Sequence, residues 1–200
     1  IYSMMIATPP LAAAVWDEIG LTGRPTFADA RHSVIYGQRT ADGRIAFGGR
    51  GAPYHFGSRI RPEFDRDDAV RKMLTETLSD LFPVLADVPI THHWGGPLGV
   101  PRDWHPHVRL DRSTGLATVG GYAGDGVAAA HLAGHTLADL TAGRDTWRTA
   151  LPLVDHRSPR WEPEPLRWLG VRLTAAAARR ADSGGRGSSL WDRLFCRLRG

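Results

Sequence analysis

The glycine-dense segment at residues 116–127, Leu-Ala-Thr-Val-Gly-Gly-Tyr-Ala-Gly-Asp-Gly-Val, combines residue types that could do chemistry. A short apolar run, predicted as a strand, leads into four glycines and then into a small-residue helix from about Gly126 to Thr141. Glycine has no Cβ atom, so a ligand or another backbone segment can approach the turn closely. The first amides of the helix lack acceptors within it and place partial positive charge at the turn. The segment therefore favours contact with an electron-rich group.

The spacing of these glycines differs from the phosphate-binding pattern G-x-G-x-x-G, and no acidic residue ends a following strand about twenty residues later. A phosphate cradle is therefore the weaker interpretation. From this segment alone, an ordinary tight connection whose glycines only avoid steric clashes is an equal alternative. The helix carries Ala130, Ala133, Gly134 and Ala138 at helical spacing, which predicts that this face packs tightly on a sheet.

Several segments resemble the D-amino-acid oxidase-like family of FAD-dependent oxidoreductases. The glycine turn is similar to the family's C-terminal flavin-contacting segment, and further similar residues follow in the family's order. They are Trp94-Gly95-Gly96-Pro97-Leu98-Gly99, Asp103, Pro106, Val108, Ala133-Gly134 and Leu137-Ala138-Asp139-Leu140. Residues 30–32, 38–51 and 161–168 resemble a bacterial amine-oxidising branch that includes gamma-glutamylputrescine oxidase-like proteins. The resemblance extends over nearly the whole chain to about Arg180.

The resemblance implies that the glycine turn contacts the flavin. The helix N-terminus would then stabilise the negative charge that develops on the flavin ring during reduction. Asp125 fits this role least, because a carboxylate disfavours an anionic reduced flavin unless it faces away; as a helix N-cap it would bond to first-turn amides. The cofactor-binding residues implied by the resemblance are Gly121, Tyr122, Gly124, Asp125, Gly126 and Val127.

The resemblance also implies how the cofactor and the substrate bind. Certain relatives have a cysteine bonded to the flavin where this chain has Trp94-Gly95-Gly96. Non-covalent FAD is therefore implied, unless a histidine in the missing half forms the bond. The implied substrate-binding residues for a small amine or amino acid are Tyr36, Arg50 and Tyr54, and the alternative for each is a polar residue or ion pair at the sheet surface. The catalytic residues stay unassigned.

The fold class implied by the resemblance is α+β, from an α/β FAD-binding family. It comprises a substrate-side mixed sheet plus the final strand and helix of the nucleotide-binding domain. The family's N-terminal dinucleotide-binding unit has no counterpart in these residues, so we expect a C-terminal fragment that works with the missing half. We expect four segments: the substrate-side sheet with one long helix (1–110), the flavin-contacting strand, turn and helix (111–143), a proline-rich strap and helix (144–181), and a tail rich in Gly, Ser and Arg (182–200).

Hydrophobic periodicity predicts the individual elements. Strands are predicted at 2–8, 29–36, 44–49, 88–94, 107–110 and 116–119, and helices at 11–19, 65–82, 126–141 and 166–180. Asp42-Gly43 supplies the positive φ of a hairpin turn, and Asp65 is predicted to cap the long helix. The last helix has Leu166, Leu169, Leu173, Ala176 and Ala177 on one face.

The C-terminal tail contains a short amphipathic run. Trp191, Leu194, Phe195 and Leu198 recur at helical spacing with arginines between them. A helix this short needs a partner surface in water and provides only weak membrane affinity. We expect the tail to dock on the protein or to lack structure rather than to anchor a membrane.

Composition narrows the class of protein. The 25 basic residues include a single lysine, Lys72, and many arginines have acidic neighbours, so nucleic-acid binding is not expected despite a net charge of +4. No apolar run approaches the length of a membrane span. A lone cysteine, Cys196, fits a reducing compartment, and we expect a cytoplasmic protein. His131 and His135 are four residues apart, but Leu132 replaces the glutamate of H-E-x-x-H, so no metal site is predicted.

Two functions follow from the sequence. The first is an FAD-dependent oxidoreductase that oxidises an amine or amino acid by hydride transfer to the flavin, of which this chain is a C-terminal part that is inactive by itself. The second is a non-catalytic, truncated or split-gene subunit that acts as a protein-interaction module. A bound flavin in the purified protein would distinguish the first from the second.

Overall fold

Alternation of large apolar side chains along the first strand, β1 (Tyr2–Ala7), organises the N-terminal part of the chain. In the computed structural model, which describes residues 1–49, 53–182 and 193, Tyr2, Met4 and Ile6 are buried. Successive side chains of a strand point to opposite faces, so these three residues share one face. Ser3 and Met5 lie on the other face and are partly exposed. One face of β1 thus forms core, and the other is available for contacts.

The described residues form two compact units, residues 1–97 with 164–182, and residues 98–163. This division differs from the four predicted segments. The first boundary falls before residue 98 instead of after residue 110. The proline-rich strap, residues 151–163, belongs to the second unit, whereas the helix that follows it belongs to the first.

The first unit contains a five-stranded sheet whose described pairings are all antiparallel, where a mixed sheet is expected from the sequence. Its order is β2-β3-β4-β1-β5, with β2 at Thr26–Ala28, β3 at Ile35–Arg39, β4 at Ile45–Gly49 and β5 at His92–Pro97. The same unit contains two helices, α1 (Ala13–Ile19) and α2 (Asp68–Leu81). Buried side chains from α2 and from the sheet form one core. Helices and an antiparallel sheet in one unit confirm the α+β class.

Two strands differ from the predicted bounds for local reasons. The predicted strand at 29–36 is a loop over most of its length, because Asp29 accepts a hydrogen bond from the amide of Ile35 (3.0 Å) and closes the turn before β3. β5 begins four residues later than predicted and continues through Gly95 and Gly96. A Cβ atom at Gly95 would overlap Met4, so glycine permits close pairing with β1.

The predicted hairpin turn is confirmed, and the predicted helix cap is wrong. Gly43 has φ of 79°, and its amide donates to the carbonyl of Thr40 (3.2 Å). The N-cap of α2 is Asp67 instead of Asp65. Its carboxylate accepts from the amides of Ala69 (2.9 Å) and Val70 (3.0 Å). Asp65 is the last residue of a preceding 3-10 turn that ends before α2 begins, so it does not occupy the N-cap position.

The second unit is built on the hairpin of β6 (His107–Asp111) and β7 (Leu116–Gly120), followed by α3 (Gly126–Thr141). Both strands of the hairpin contact α3. Val108 on β6 is fully buried and also forms an isolated parallel bridge with Val154 of the strap. The hairpin therefore has α3 on one face and the strap along the outer edge of β6.

The helix α3 has the predicted bounds but buries fewer of its small residues than expected. Ala133 is buried, whereas Ala130, Gly134 and Ala138 are exposed. On the neighbouring strand, Leu116 is 70% exposed. The described part of this unit therefore leaves apolar surface on both α3 and β7 without a packing partner within it.

The last helix, α4 (Leu166–Asp182), belongs to the first unit. It buries Ala177 and Ala178, whereas Leu166, Leu169 and Leu173 of the predicted apolar face are exposed. The amphipathic run from Trp191 to Leu198 lies outside the described residues, apart from Arg193. No helix among the described residues is both long enough and apolar enough to cross a membrane.

Replacing the helix cap tests the position of the α2 N-terminus. We expect Asp67→Ala to lower the free energy of unfolding by about 1 kcal/mol, because two first-turn amides lose their acceptor. Asp65→Ala, the matched control, should change it by no more than about 0.5 kcal/mol. Urea unfolding followed by circular dichroism measures both values, and equal losses would contradict this cap assignment.

Asp139 on α3 provides a pH-dependent test of the second unit. The hydrogen bond from Thr146 (2.8 Å) and those from Arg148 lower the pKa of the buried Asp139 below its ordinary value of 3.8. A lowered pKa means that the ionised form stabilises the fold above the ordinary value, and that this stabilisation is lost as the pH falls through the lowered pKa. Asp139→Asn should therefore melt earlier than wild type at pH 7 and converge with it in acid. Asp145→Asn, at an exposed position, should follow wild type throughout.

Candidate functional site

The turn between β7 and α3 depends on glycine at two positions. Gly121 has φ of 79° and Gly124 has φ of 108°, values that other L-residues rarely adopt. Ala123 between them also has a positive φ of 49°. The backbone reverses twice within four residues and delivers the chain to the first turn of α3.

The two glycines have different surroundings. A Cβ atom at Gly121 would lie 2.9 Å from the carbonyl oxygen of His105 and 3.0 Å from Cγ of Pro101, so glycine there allows a loop of the same unit to pack. A Cβ atom at Gly124 would meet no atom within 4 Å. Gly121 thus serves internal packing, whereas Gly124 borders open space that a ligand can enter.

An open cavity of about 270 Å³ lies at this turn. It brings together four of the six predicted cofactor-binding residues, together with Ala123 and two residues of the preceding loop. The lining residues are Leu98, Gly99, Gly121, Tyr122, Ala123, Gly124 and Gly126. Asp125 and Val127 do not line it, and Val127 is 95% exposed. All six cofactor-binding assignments stay predictions.

The hydroxyl of Tyr122 is buried and has no hydrogen-bond partner among the described residues. A buried hydroxyl without a partner costs free energy that a bound group can recover. Tyr122 also lines the cavity, although the hydroxyl oxygen itself is shielded from the solvent that fills it.

Helix polarity gives the cavity a favourable potential for electron-rich groups. Gly126, the first residue of α3, lines it, and the first turn of the helix contains no acidic residue. Asp125 occupies the N-cap position, but its side chain makes no capping hydrogen bond, which corrects the expected capping role. The amides of the first turn are thus not consumed by this carboxylate. Open space at Gly124 and the helix polarity fit the flavin ring that the sequence resemblance implies.

The first unit presents a sheet face opposite to its core. Met5 pairs with both Gly48 and Trp94, and Tyr36 pairs with Gly48, so these four residues share one face. Tyr36 is 36% exposed and its hydroxyl shares a hydrogen bond with Ser3 (2.8 Å). On this face Tyr36 and Trp94 lie at the two ends of a row with Gly48 and Met5 between them, and the face is a candidate surface for a small organic substrate.

The side chain of Tyr54 belongs to a hydrogen-bonded cluster around a single carboxylate, that of Glu164. Its hydroxyl donates to Glu164, which also accepts from the amides of Gly57 (2.9 Å) and Trp168 (3.0 Å) and from Arg167 (3.1 Å). Burial alone would raise the pKa of Glu164, but these hydrogen bonds lower it to about 2. The cluster joins α4 to the segment after β4 and fixes the orientation of the Tyr54 ring. Arg50, the third predicted substrate-binding residue, lies outside the described residues.

Sequence reasoning missed several partners in these sites. Leu98 and Gly99 belong to the motif that begins at Trp94, but no feature of that motif predicts that they line the cavity. Glu164 stands within a motif at 161–168, but its contact with Tyr54 spans 110 residues and has no local signature. Among the described residues, no three His, Cys, Asp or Glu side chains lie close enough together to hold a metal ion. The absence of a metal site from the protein stays a prediction.

Comparison with known proteins provides relatives for most of the chain. The chain is 36% identical over 126 residues to the probable oxidoreductase OrdL of Rhizobium meliloti, covering 63% of this chain and 27% of the relative. It is 35% identical over 116 residues to the gamma-glutamylputrescine oxidoreductase of Escherichia coli, covering 58% of this chain and 25% of the relative. The chain thus spans between a quarter and a third of the length of these curated relatives.

Solved structures share the fold at lower identity. The glycine oxidase from Geobacillus kaustophilus superposes with a TM-score of 0.58 at 17% identity, over 80% of this chain and 39% of that protein. The L-proline dehydrogenase from P. horikoshii superposes with a TM-score of 0.56 at 20% identity, over 76% of this chain and 37% of that protein. At these identities the comparison establishes the fold.

A family model described as FAD dependent oxidoreductase, DAO, matches residues 1–140. The match includes the five-stranded sheet, the glycine turn and nearly all of α3. It agrees with the resemblance inferred from the glycine turn and from the motif around Trp94. This chain belongs to the DAO family of FAD-dependent oxidoreductases.

Proposed function

We propose that this chain supplies the flavin-ring side and the substrate side of an oxidoreductase that oxidises a small amine or amino acid. The observation that carries the proposal is the open cavity at the start of α3, which Gly124 and the first residue of the helix, Gly126, border. The named activities of the relatives, on gamma-glutamylputrescine, glycine and proline, support an amine or amino acid as the substrate class.

The cavity residues have separate roles in this proposal. Gly124 leaves room for the ring, and the first-turn amides of α3 stabilise electron density gained at the near edge of the ring. When bound, FAD would supply the two-electron acceptor for the hydride that leaves the C–H bond beside the amine nitrogen, and water would hydrolyse the resulting substrate imine.

The open sheet face is the proposed contact surface for the substrate. Trp94 and Tyr36 provide apolar and π surface, and Ser3 provides a hydroxyl beside Tyr36. Tyr54, oriented by Glu164, contributes a third aromatic ring. We include Arg50 as a candidate for a substrate carboxylate, because guanidinium groups bind carboxylates in a bidentate manner.

The cofactor's phosphates and adenosine need contacts that this sequence does not provide. The G-x-G-x-x-G fingerprint that cradles a pyrophosphate is absent from these 200 residues. We propose that a dinucleotide-binding half supplies it, that FAD is bound without a covalent link, and that the assembled enzyme is cytoplasmic. The exposed apolar surface of β7 and α3 is where we place the contact with that half.

Adding the missing half tests the proposal directly. We expect the 200-residue chain alone to bind FAD weakly and to oxidise no amine, because the pyrophosphate contacts are absent. Co-expression with the dinucleotide-binding half should yield a yellow complex whose visible absorbance bleaches when an amine or amino acid is added without oxygen. Stoichiometric FAD on the chain alone would contradict the first expectation, and a complex that no amine or amino acid bleaches would contradict the activity.

Substitution in the glycine turn tests the cofactor site. In the assembled protein, Gly124→Val should weaken FAD binding by about tenfold or more, equivalent to about 1.4 kcal/mol, because a branched side chain enters the open space. Gly115→Val is the matched control, since Gly115 also has a positive φ (73°) and no atom within 4 Å of its Cβ position. Both variants should lose similar stability from backbone strain. Fluorescence titration with FAD should distinguish them, and equal affinities would show that the cavity does not hold the flavin.

A further inference from the structure

The strap, residues 151–163, adds a third segment to the β6-β7 hairpin. The amide of Val108 donates to the carbonyl of Leu153 (2.9 Å), and the amide of Asp155 donates to the carbonyl of Val108 (2.9 Å). Val108 thus pairs with β7 on one side and with the strap on the other. This attachment places the rest of the strap beside the loop that precedes β6.

Several side-chain contacts join the strap to that loop. The indole of Trp161 donates to the carbonyl of Val100 (2.8 Å). Arg102 binds both carboxylate oxygens of Glu162 (3.1 and 3.2 Å) through its Nε, and its guanidinium lies 5.2 Å from the ring centre of Trp161. Finally, Nε2 of His156 lies 2.7 Å from the Asp103 carboxylate.

The tethered loop is the one that packs against the glycine turn. Pro101, His105 and Pro106 are the residues that a Cβ atom at Gly121 would meet, at 2.9 to 3.2 Å. Asp103 lies at the middle of this loop. A displacement of the loop therefore changes the support beneath Gly121, which is itself part of the cavity wall.

The backbone is strained on both sides of the Asp103 and His156 contact. Trp104, next to Asp103, has φ of 57°, and Asp155, next to His156, has φ of 56°. Residues other than glycine remain in this region only where surrounding contacts hold them. The contact also orders the His105 ring, whose centre lies 4.2 Å from that of His156.

We propose that Asp103 and His156 are positioning residues for the glycine turn between β7 and α3. Their hydrogen bond fixes the loop at residues 101–106 against Gly121 and thereby sets the shape of the cavity. The identity of the ligand rests on the proposed function, whereas the positioning of the turn does not. The strap then helps to determine the shape of the cavity, although none of its residues lines it.

The electrostatics of the pair agree with this role. Burial alone would raise the pKa of Asp103, but hydrogen bonds from Ser158, His156 and the amide of His105 lower it to about 2. The carboxylate is therefore ionised at neutral pH and acts as a permanent acceptor. Two of its three partners, Ser158 and His156, belong to the strap, so a single carboxylate fastens the strap to the loop.

Hydrogen exchange of the chain without flavin tests the positioning directly. His156→Ala and Asp103→Ala should each increase amide exchange in a peptide spanning residues 119–127 by about tenfold, because the loop loses a charge-assisted hydrogen bond. His156→Gln should restore slow exchange, since its amide nitrogen can replace Nε2 as the donor. Arg157→Ala, at an exposed neighbouring position of the strap, should exchange like wild type.

The double variant and a second peptide decide between positioning and general stability. If His156 acts only through Asp103, the double variant Asp103→Ala with His156→Ala should exchange no faster than Asp103→Ala alone. Unchanged exchange at the turn, or an equal increase across residues 119–127 and 130–141, would overturn the proposal. In the assembled protein, His156→Ala should also weaken FAD binding and His156→Gln should not. Altered exchange without any FAD binding would remove the proposed function but leave the positioning role.

Discussion

The backbone path between β7 and α3 is the constraint on which the rest of the site depends. Two positive φ values, at Gly121 and Gly124, are needed to carry the chain from the end of a strand into the first turn of a helix. One of these glycines faces a loop of its own unit and the other faces open space. The same four residues therefore fix the internal packing of the second unit and leave the amides of α3 accessible to a ligand.

In the first unit, the two faces of the five-stranded sheet have different roles. Met4, Ile6 and Phe47 commit one face to the core with α2. The alternate residues of the same strands then have no role in that core, and evolution can select them for contacts with small molecules. Glu164 extends this principle outside the sheet, because a carboxylate that collects four donors fixes an aromatic side chain without contributing to the core.

The sequence predicts best what short-range interactions determine. The bounds of α3, the Asp42-Gly43 turn and the glycine turn follow from residue types within a few positions, and the structure agrees with them. The cap of α2 was misassigned by two residues because three aspartates compete for one position, and only the preceding 3-10 turn decides among them. The early start predicted for β5 has a comparable cause, since pairing with β1 selects a register that includes two glycines. Contacts such as Asp103 with His156 join residues 53 positions apart, and no local pattern reveals them.

Among the described residues, β7 pairs with β6 alone, so the amides and carbonyls along its other edge are available to a further strand. Such an edge recognises any extended segment, since main-chain hydrogen bonds carry little sequence information. Leu116 and Val119 add apolar area at the same edge. If the dinucleotide-binding half docks at this edge as proposed, its assembly with the chain competes with self-association for the same five residues.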